Sequence, residues 1–126
     1  MRKKLLVIDD EPAITRLIKR IAETCGFAAL ATSDPLQFKQ EVAGGDPDVI
    51  CLDLAMPYVD GIEVLGFLAA RNCQSRLLII SGFDAGLVSS ALRLAQSRGL
   101  NVVGTISKPI RIDVLREQLL AIGQEG

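Results

Sequence analysis

The 126-residue chain contains no histidine. Histidine is the commonest general base in enzymes, a member of the Ser-His-Asp nucleophile systems and a frequent ligand of transition metals. Its absence excludes those classes of site together. Any chemistry that the chain performs must therefore use Asp, Glu, Ser, Thr, Lys or Arg side chains.

An excess of charge of one sign is also missing, since fourteen basic residues face fifteen acidic ones and leave a net charge of -1. We therefore expect no direct contact with nucleic acid or an anionic membrane. No apolar run approaches the ~20 residues of a membrane span, and the run that follows Lys4 is too short for a signal peptide. The chain is expected to be cytoplasmic.

Cysteine is scarce and its spacing is irregular. Cys25, Cys51 and Cys73 are odd in number, lack CxxC spacing and lie among apolar neighbours. Such residues are typical of small buried side chains in a reducing compartment, so we expect three buried free thiols rather than a disulfide.

Short apolar runs alternate five times with segments of helical periodicity. The runs predict strands at 4–8, 27–31, 49–52, 77–80 and 102–106, buried on both faces of a parallel sheet. The predicted helix starts are Pro12, Asp34 with Pro35, Asp60 with Glu63, and Asp84. We predict one α/β domain over residues 1–123, with helices on both faces of the sheet, and a C-terminal tail at 124–126.

Polar side chains follow the predicted strands, where such sheets bind their ligands. The residues at these strand ends are Asp9, Asp10 and Glu11, then Asp53, then Ser81, then Lys108. Taken singly, most of them could cap helices or cover the surface. Asp53 is less easily explained in that way, because the next predicted helix begins only at Asp60.

Taken together, these side chains predict a phosphoryl-transfer site. Carboxylates at about 5 Å repel one another by roughly 3 kcal/mol per pair at an effective dielectric constant of about 20. Mg²⁺ would offset this repulsion, since it prefers carboxylate and carbonyl oxygens and commonly bridges to a phosphate. Lys108 adds a positive charge, Ser81 a hydroxyl donor, and Asp53 a nucleophilic carboxylate.

Four sequence blocks then point to a family. VIDDEP, PDVICLDLAMPYVDGIEVL, LLIISGFD and GTISKPI, in this order and spacing, resemble the receiver domain of bacterial two-component response regulators. The resemblance covers essentially the whole chain. It implies a flavodoxin-like, doubly wound (βα)5 fold with a five-stranded parallel sheet in the order 2-1-3-4-5. It also implies a phosphorylated switch rather than a metabolic enzyme.

The resemblance assigns the acidic residues to a metal and a phosphoryl group. Asp53 would accept the phosphoryl group in a Mg²⁺-dependent reaction and contribute to the metal site. Asp10 would bind Mg²⁺ directly, and Asp9 would bind it through water or hydrogen bonds. The backbone carbonyl of Ala55 would be a further ligand.

The resemblance also assigns Ser81 and Lys108 to the phosphoryl group. Ser81 would be the switch hydroxyl, Lys108 would bind a phosphoryl oxygen, and the bond between Lys108 and Pro109 would be cis. Because the chain has no histidine, the donor would be a sensor histidine kinase or a phosphotransfer protein. Phosphorylation would shift the population of the face formed by the fourth and fifth helices, with a phosphorylation-dependent dimer as one consequence.

Two departures from the family pattern affect these expectations. Thr105 stands where receivers often have a Tyr or Phe that couples to the switch hydroxyl. Ala55 and Phe83 are apolar where other receivers can have polar residues that help a hydrolytic water, so Phe83 is expected to lengthen the life of the phosphoryl group. The segment 81–110 is similar to receivers fused to EAL-type cyclic-dinucleotide phosphodiesterase domains, which suggests a fused or separate EAL-type output partner.

Three other functions share some of these residues or this fold. A haloacid-dehalogenase-like phosphatase needs a second Asp two residues after the nucleophile, where this chain has Ala55. A flavin carrier of the same fold needs a phosphate cradle where this chain has acids. A degenerate receiver that acts only as a protein-binding module remains the alternative, and Thr105 leaves room for it.

Overall fold

The computed structural model describes residues 2–56, 59–82 and 84–124, with the backbone alone at residues 55, 59 and 60. Five strands alternate with five helices in the described part of the main domain. The strands are β1 (Lys4–Ile8), β2 (Ala28–Thr32), β3 (Val49–Asp53), β4 (Arg76–Ser81) and β5 (Asn101–Ser107). The helices are α1 (Pro12–Thr24), α2 (Pro35–Ala43), α3 (Gly61–Ala70), α4 (Ala85–Ser97) and α5 (Ile112–Gln124). The predicted alternation is confirmed, and each strand boundary lies within one residue of its predicted position.

The five strands form one parallel sheet in the order β2-β1-β3-β4-β5. This is the predicted order, and it brings the carboxyl ends of β1, β3 and β4 side by side at the centre of the sheet. Ile8 pairs with Leu52, and Asp53 pairs with Ile80. The residues that follow these strands therefore meet at one edge of the sheet, which we call the carboxyl edge.

Alternate side chains of the central strands pack into two separate cores. On one face, residues such as Ile50 and Leu77 pack with side chains of α2, α3 and α4. On the other face, Cys51 and Leu78 pack with side chains of α1 and α5. The period of two along a strand explains why each central strand is apolar almost throughout, because both of its faces are covered by helices.

The two edge strands are less buried than their apolar sequences predict. In β2, Ala28 and Leu30 are exposed, and in β5 only Ile106 is buried. The prediction of burial on both faces is therefore wrong for these two strands. An edge strand has a neighbour on one side only and lies near the limit of the helical layers, so part of its surface reaches solvent.

Two of the predicted helix starts are seen directly in hydrogen bonds. Asp34 Oδ1 accepts a bond from the amide of Leu36 at 3.0 Å, and Asp84 Oδ1 accepts one from Leu87 at 3.0 Å. Pro12 is the first residue of α1, as predicted. The predicted capping box of Asp60 lies outside the described side chains.

The cysteines differ in burial. Cys51 and Cys73 are buried, as predicted, and burial raises the pKa of the Cys51 thiol to about 12. Cys25 is half-buried, so the prediction is wrong for this residue, which follows the last turn of α1. All three are free thiols.

Among the helices of the described residues, none is both long and apolar enough to cross a membrane.

Candidate functional site

Four strand ends deliver the predicted side chains to the carboxyl edge. Asp9 directly follows β1, Asp53 and Ser81 end β3 and β4, and Lys108 directly follows β5. The amide of Lys108 donates to the carbonyl of Ser81 at 2.8 Å, which extends the pairing of β4 with β5 by one bond. Ser81 is almost fully buried, immediately after the residue that pairs with Asp53. Ser81 therefore ends the strand next to β3, and Lys108 follows the edge strand beyond it.

The acids form a compact cluster. Asp9, Asp10 and Asp53 each offer a carboxylate oxygen within 4.8 Å of the others. Asp9 and Asp53 are fully buried, while Asp10 is partly exposed. Three negative charges at this distance, with two of them removed from water, require a compensating positive charge.

Lys108 supplies part of that charge. Its Nζ lies 3.1 Å from Asp9 Oδ2, 3.3 Å from Asp53 Oδ2 and 3.4 Å from Glu11 Oε1. Desolvation alone would lower the pKa of Lys108, but its contacts with Asp9 and the charges of both aspartates outweigh it and raise this pKa above the ordinary value. The ammonium therefore remains charged throughout the neutral range.

The buried position of Asp9 disfavours its charged form. Burial raises its pKa above the ordinary value and Asp10 acts in the same direction, while the amide of Glu11 and the ammonium of Lys108 oppose them. Asp9 Oδ1 accepts a hydrogen bond from that amide at 2.9 Å. Asp9 Oδ2 has no hydrogen-bond partner among the described residues, so its contact with Lys108 is an ion pair without hydrogen-bond geometry.

The donor set fits a hard divalent cation. It consists of carboxylate oxygens, without sulfur or imidazole, which is the set that Mg²⁺ and Ca²⁺ prefer. The buried Oδ2 of Asp9, which lies in an ion pair with Lys108 but accepts no hydrogen bond from the described residues, is at the same place. The single charge of Lys108 cannot balance three clustered acids, whereas Lys108 and a divalent cation together supply three positive charges.

The backbone after Asp53 is held in place by short-range contacts. The amide of Leu54 donates to the carbonyl of Ile80 at 3.0 Å, and Ala55–Met56 pairs with Val59–Asp60 as a short antiparallel ladder. A Cβ on Gly61 would lie 2.5 Å from the Cα of Leu54, so only glycine fits there. This close approach fixes the strand that carries the Ala55 carbonyl, the predicted metal ligand.

One residue of the site, Gly61, and one contact within it, that of Glu11 with Lys108, were not predicted from the sequence. Gly61 acts through its missing side chain, and the Asp-Gly pair that follows Pro57 was the signal for it. Glu11 was identified only as one of three consecutive acids, but the structure brings it to Lys108.

Of the two departures from the family pattern, the structure describes the side chain of Thr105 only. Thr105 is exposed on the edge strand, and its carbonyl accepts a hydrogen bond from Gln118 Nε2 at 3.2 Å. Phe83 and the side chain of Ala55 lie outside what the structure describes. The predicted cis bond between Lys108 and Pro109 is confirmed.

Comparison with known proteins gives the same family for nearly the whole chain. The family described as the response regulator receiver domain matches residues 5–120. A response regulator from Colwellia psychrerythraea of known structure is 36% identical, with 98% of each chain covered and a TM-score of 0.86. The receiver domain of the Francisella response regulator 1452 is 27% identical, with a TM-score of 0.81 and 98% of each chain covered.

Two curated relatives from Bacillus subtilis (strain 168) differ in length. Sporulation initiation phosphotransferase F is 26% identical over 93% of this chain and 90% of its own length. The alkaline phosphatase synthesis transcriptional regulatory protein PhoP is 33% identical over 67% of this chain and 35% of its own length. The chain thus spans about one third of one relative and most of the other.

The sheet order, the acidic cluster with its lysine and the family match agree, and the chain belongs to the response regulator receiver domains of two-component systems.

Proposed function

We propose that Asp53 is the residue that accepts the phosphoryl group in this chain, in a Mg²⁺-dependent reaction. Phosphorylation of an aspartate is general in the receiver family, and receiver domains generally catalyse no reaction beyond their own phosphorylation and its reversal. The observation that carries the proposal is the position of Asp53, within 4.8 Å of Asp9 and Asp10 and 3.3 Å from Lys108 Nζ. No other acid of the cluster ends a central strand.

The proposed reaction needs a nucleophile, charge compensation and exclusion of water. A carboxylate oxygen of Asp53 forms the new bond to phosphorus while the bond from phosphorus to the donor nitrogen breaks. Lys108 contacts an oxygen of the transferred group, and the Ser81 hydroxyl donates to another. Burial of Asp53 and Ser81 limits the water that could hydrolyse the product.

Asp9, Asp10 and Asp53, with the carbonyl of Ala55, are the proposed Mg²⁺ ligands. When bound, the ion would neutralise charge on the phosphoryl oxygens. The Oδ2 of Asp9, which has no hydrogen-bond partner among the described residues, and the oxygen-only donor set support this assignment. Removing Asp10 should weaken metal binding without removing the nucleophile.

Phosphorylation is proposed to act as a switch. It adds negative charge beside Ser81 and Lys108, which stand at the ends of β4 and β5. Movement of these residues would bias an existing equilibrium at the face of α4, β5 and α5. Thr105 lies on β5 at that face, and Gln118 of α5 contacts its carbonyl, which offers a route between the two elements.

The phosphoryl donor is proposed to be a histidine of another protein, because this chain has none. Receiver domains interact with histidine kinases or phosphotransfer proteins, and one relative is itself named a phosphotransferase. We further propose a cytoplasmic switch without enzymatic turnover of a substrate and without direct contact with nucleic acid or membrane. The domain limits 1–123, the EAL-type output partner and the phosphorylation-dependent dimer stay predictions.

The test is the intact mass of the protein after incubation with acetyl phosphate, with and without Mg²⁺. We expect wild type to gain one phosphoryl group only with Mg²⁺, and Asp53→Asn to gain none. Asp113→Asn is the matched control, because Asp113 is an exposed acid at the start of α5 that contacts Arg111 and not Lys108. A gain of phosphate by Asp53→Asn equal to that of wild type would place the acceptor elsewhere.

A further inference from the structure

Glu11 occupies an unusual position for a helix-capping acid. It is the N-cap residue of α1, yet its side chain makes no capping hydrogen bond. An Asp at this position typically accepts a bond from the free amides of its own helix, whereas the longer side chain of Glu can reach a more distant partner. Here Glu11 Oε1 instead lies 3.4 Å from Lys108 Nζ, 97 positions further along the chain.

The three partners of Lys108 differ in burial. The side chains of Asp9 and Asp53 are fully buried, whereas that of Glu11 is 59% exposed. Asp9 and Asp53 also belong to the acidic cluster that fits a cation, and Glu11 does not. Glu11 therefore contacts Lys108 from the solvent side of the pocket.

The backbone of Glu11 fixes where its side chain begins. Its amide donates to Asp9 Oδ1 at 2.9 Å, so the residue is tied to the buried acid next to Lys108. The same residue thus contacts Asp9 through its main chain and Lys108 through its side chain. A substitution of the side chain can remove the second contact and leave the first.

A cation held by the acidic cluster would share Asp9 and Asp53 with Lys108 and would repel the ammonium. Three carboxylates contact Lys108, and two of them, Asp9 and Asp53, would also bind the cation. The charge of Glu11 would not be shared with the cation and would still attract the ammonium. We propose that Glu11 is a positioning residue that retains Lys108 at the mouth of the pocket when a divalent cation is bound. The ammonium is then in place when the phosphoryl group arrives. This inference rests on the function proposed above for Asp53 and Lys108.

The first experiment follows the ¹⁵N-ammonium signal of Lys108 by NMR during a Mg²⁺ titration, with Lys108→Arg to identify the signal. In wild type, we expect the signal to persist at saturating Mg²⁺. In Glu11→Gln, we expect it to be present without Mg²⁺, because Asp9 and Asp53 still hold the lysine, and to broaden beyond detection with Mg²⁺. This readout needs the ion alone and no phosphoryl transfer.

Two further variants separate contact from charge. Glu11→Asp keeps the charge but shortens the side chain by one methylene and favours capping of α1, so we expect it to behave like Glu11→Gln. Glu63→Gln removes an exposed acid from the first turn of α3 and should behave like wild type. If Lys108 in Glu11→Gln keeps its signal with Mg²⁺, or if Glu11→Asp matches wild type, retention by contact is wrong.

The second readout is the rate of phosphoryl uptake from acetyl phosphate at saturating Mg²⁺ and donor. Loss of the Glu11 contact should lower this rate by about twofold to fivefold, as expected for a partly exposed ion pair, without changing the extent of uptake. An unchanged rate in Glu11→Gln would contradict the inference. No uptake by wild type would instead contradict the proposed function, while the NMR titration would still decide whether Glu11 retains Lys108.

Discussion

The two edges of the sheet use the same residue types for different purposes. At the amino edge, where the strands begin, Asp48 Oδ2 accepts the amide of Lys4 at 2.6 Å and Asp46 Oδ2 accepts the amide of Gln74 at 3.1 Å. Ser75 donates its hydroxyl to the carbonyl of Pro47 at 2.5 Å. Each of these side chains pairs with backbone, and among the described residues neither acid belongs to a group of three or more that could hold a metal ion.

At the carboxyl edge, the acids are crowded together. Asp9, Asp10 and Asp53 share one small volume, Lys108 serves several of them, and Asp9 Oδ2 has no hydrogen-bond partner among the described residues. Polar groups that serve only the fold are normally paired, as at the amino edge. From this comparison we infer that the carboxyl edge holds its acids at a cost in stability, which a bound cation can offset.

The largest expected effect is the loss of the lysine at the carboxyl edge. Lys108→Met removes the positive charge from two buried carboxylates, so we expect the free energy of unfolding to fall by about 3 kcal/mol without a divalent cation. Urea denaturation in EDTA measures this change. Added Mg²⁺ should recover part of the loss, and a stability equal to wild type in EDTA would show that the acids do not depend on Lys108.

Removing one acid from each edge should change the free energy of unfolding in opposite directions, and by less than the loss of Lys108. Asp10→Asn removes one of three crowded charges and should raise the free energy of unfolding by about 1 kcal/mol in EDTA, because repulsion is relieved. Asp48→Asn removes a charge that accepts a backbone amide and should lower it by about 1 kcal/mol. Urea denaturation of both variants in EDTA measures the two changes. If both variants changed the free energy of unfolding in the same direction, the proposed difference between the edges would be wrong.

The smallest effect concerns the cysteines, which report on opening of the domain. Alkylation requires a thiolate, and burial raises the pKa of Cys51 to about 12, so this thiol stays protonated at pH 8. Cys73 lies buried at the amino edge, with its Sγ 3.3 Å from Ser75 Oγ. We expect iodoacetamide to label only Cys25 in the native protein and all three cysteines in urea, by peptide mass.

Mg²⁺ should leave the protection of Cys73 unchanged, since the amino edge is structural. Faster labelling of Cys73 on addition of Mg²⁺ would show instead that the two edges are coupled. Cys25, half-buried after α1, serves as the internal reference for reactivity.

Much of the fold could be predicted from the sequence because its signals are local. An apolar run flanked by a helix start identifies a buried strand, and Asp34 and Asp84 cap helices as their positions predict. The exposure of Leu30 in β2 could not be predicted in this way. Whether a strand lies at an edge depends on the order of the whole sheet and not on the strand itself.

The sequence predicted most of the residues of the candidate site, but not the contacts between them. Asp9, Asp10, Asp53 and Lys108 follow strands, so a parallel sheet necessarily brings them to one edge. Glu11 was not separable from its neighbours by sequence, because an acid at a helix start is ordinarily a cap. Gly61 was not identified either, since its role depends on the approach of Leu54 from another segment.

The sequence by itself determined the alternation of strands and helices and the residue types at each strand end, because both follow from local patterns of apolar and polar residues. Only the tertiary structure decided how closely the acids approach one another, how many of them Lys108 contacts and that Glu11 turns toward Lys108. These are contacts between residues far apart in the chain, and their distances are set by how the whole sheet is assembled.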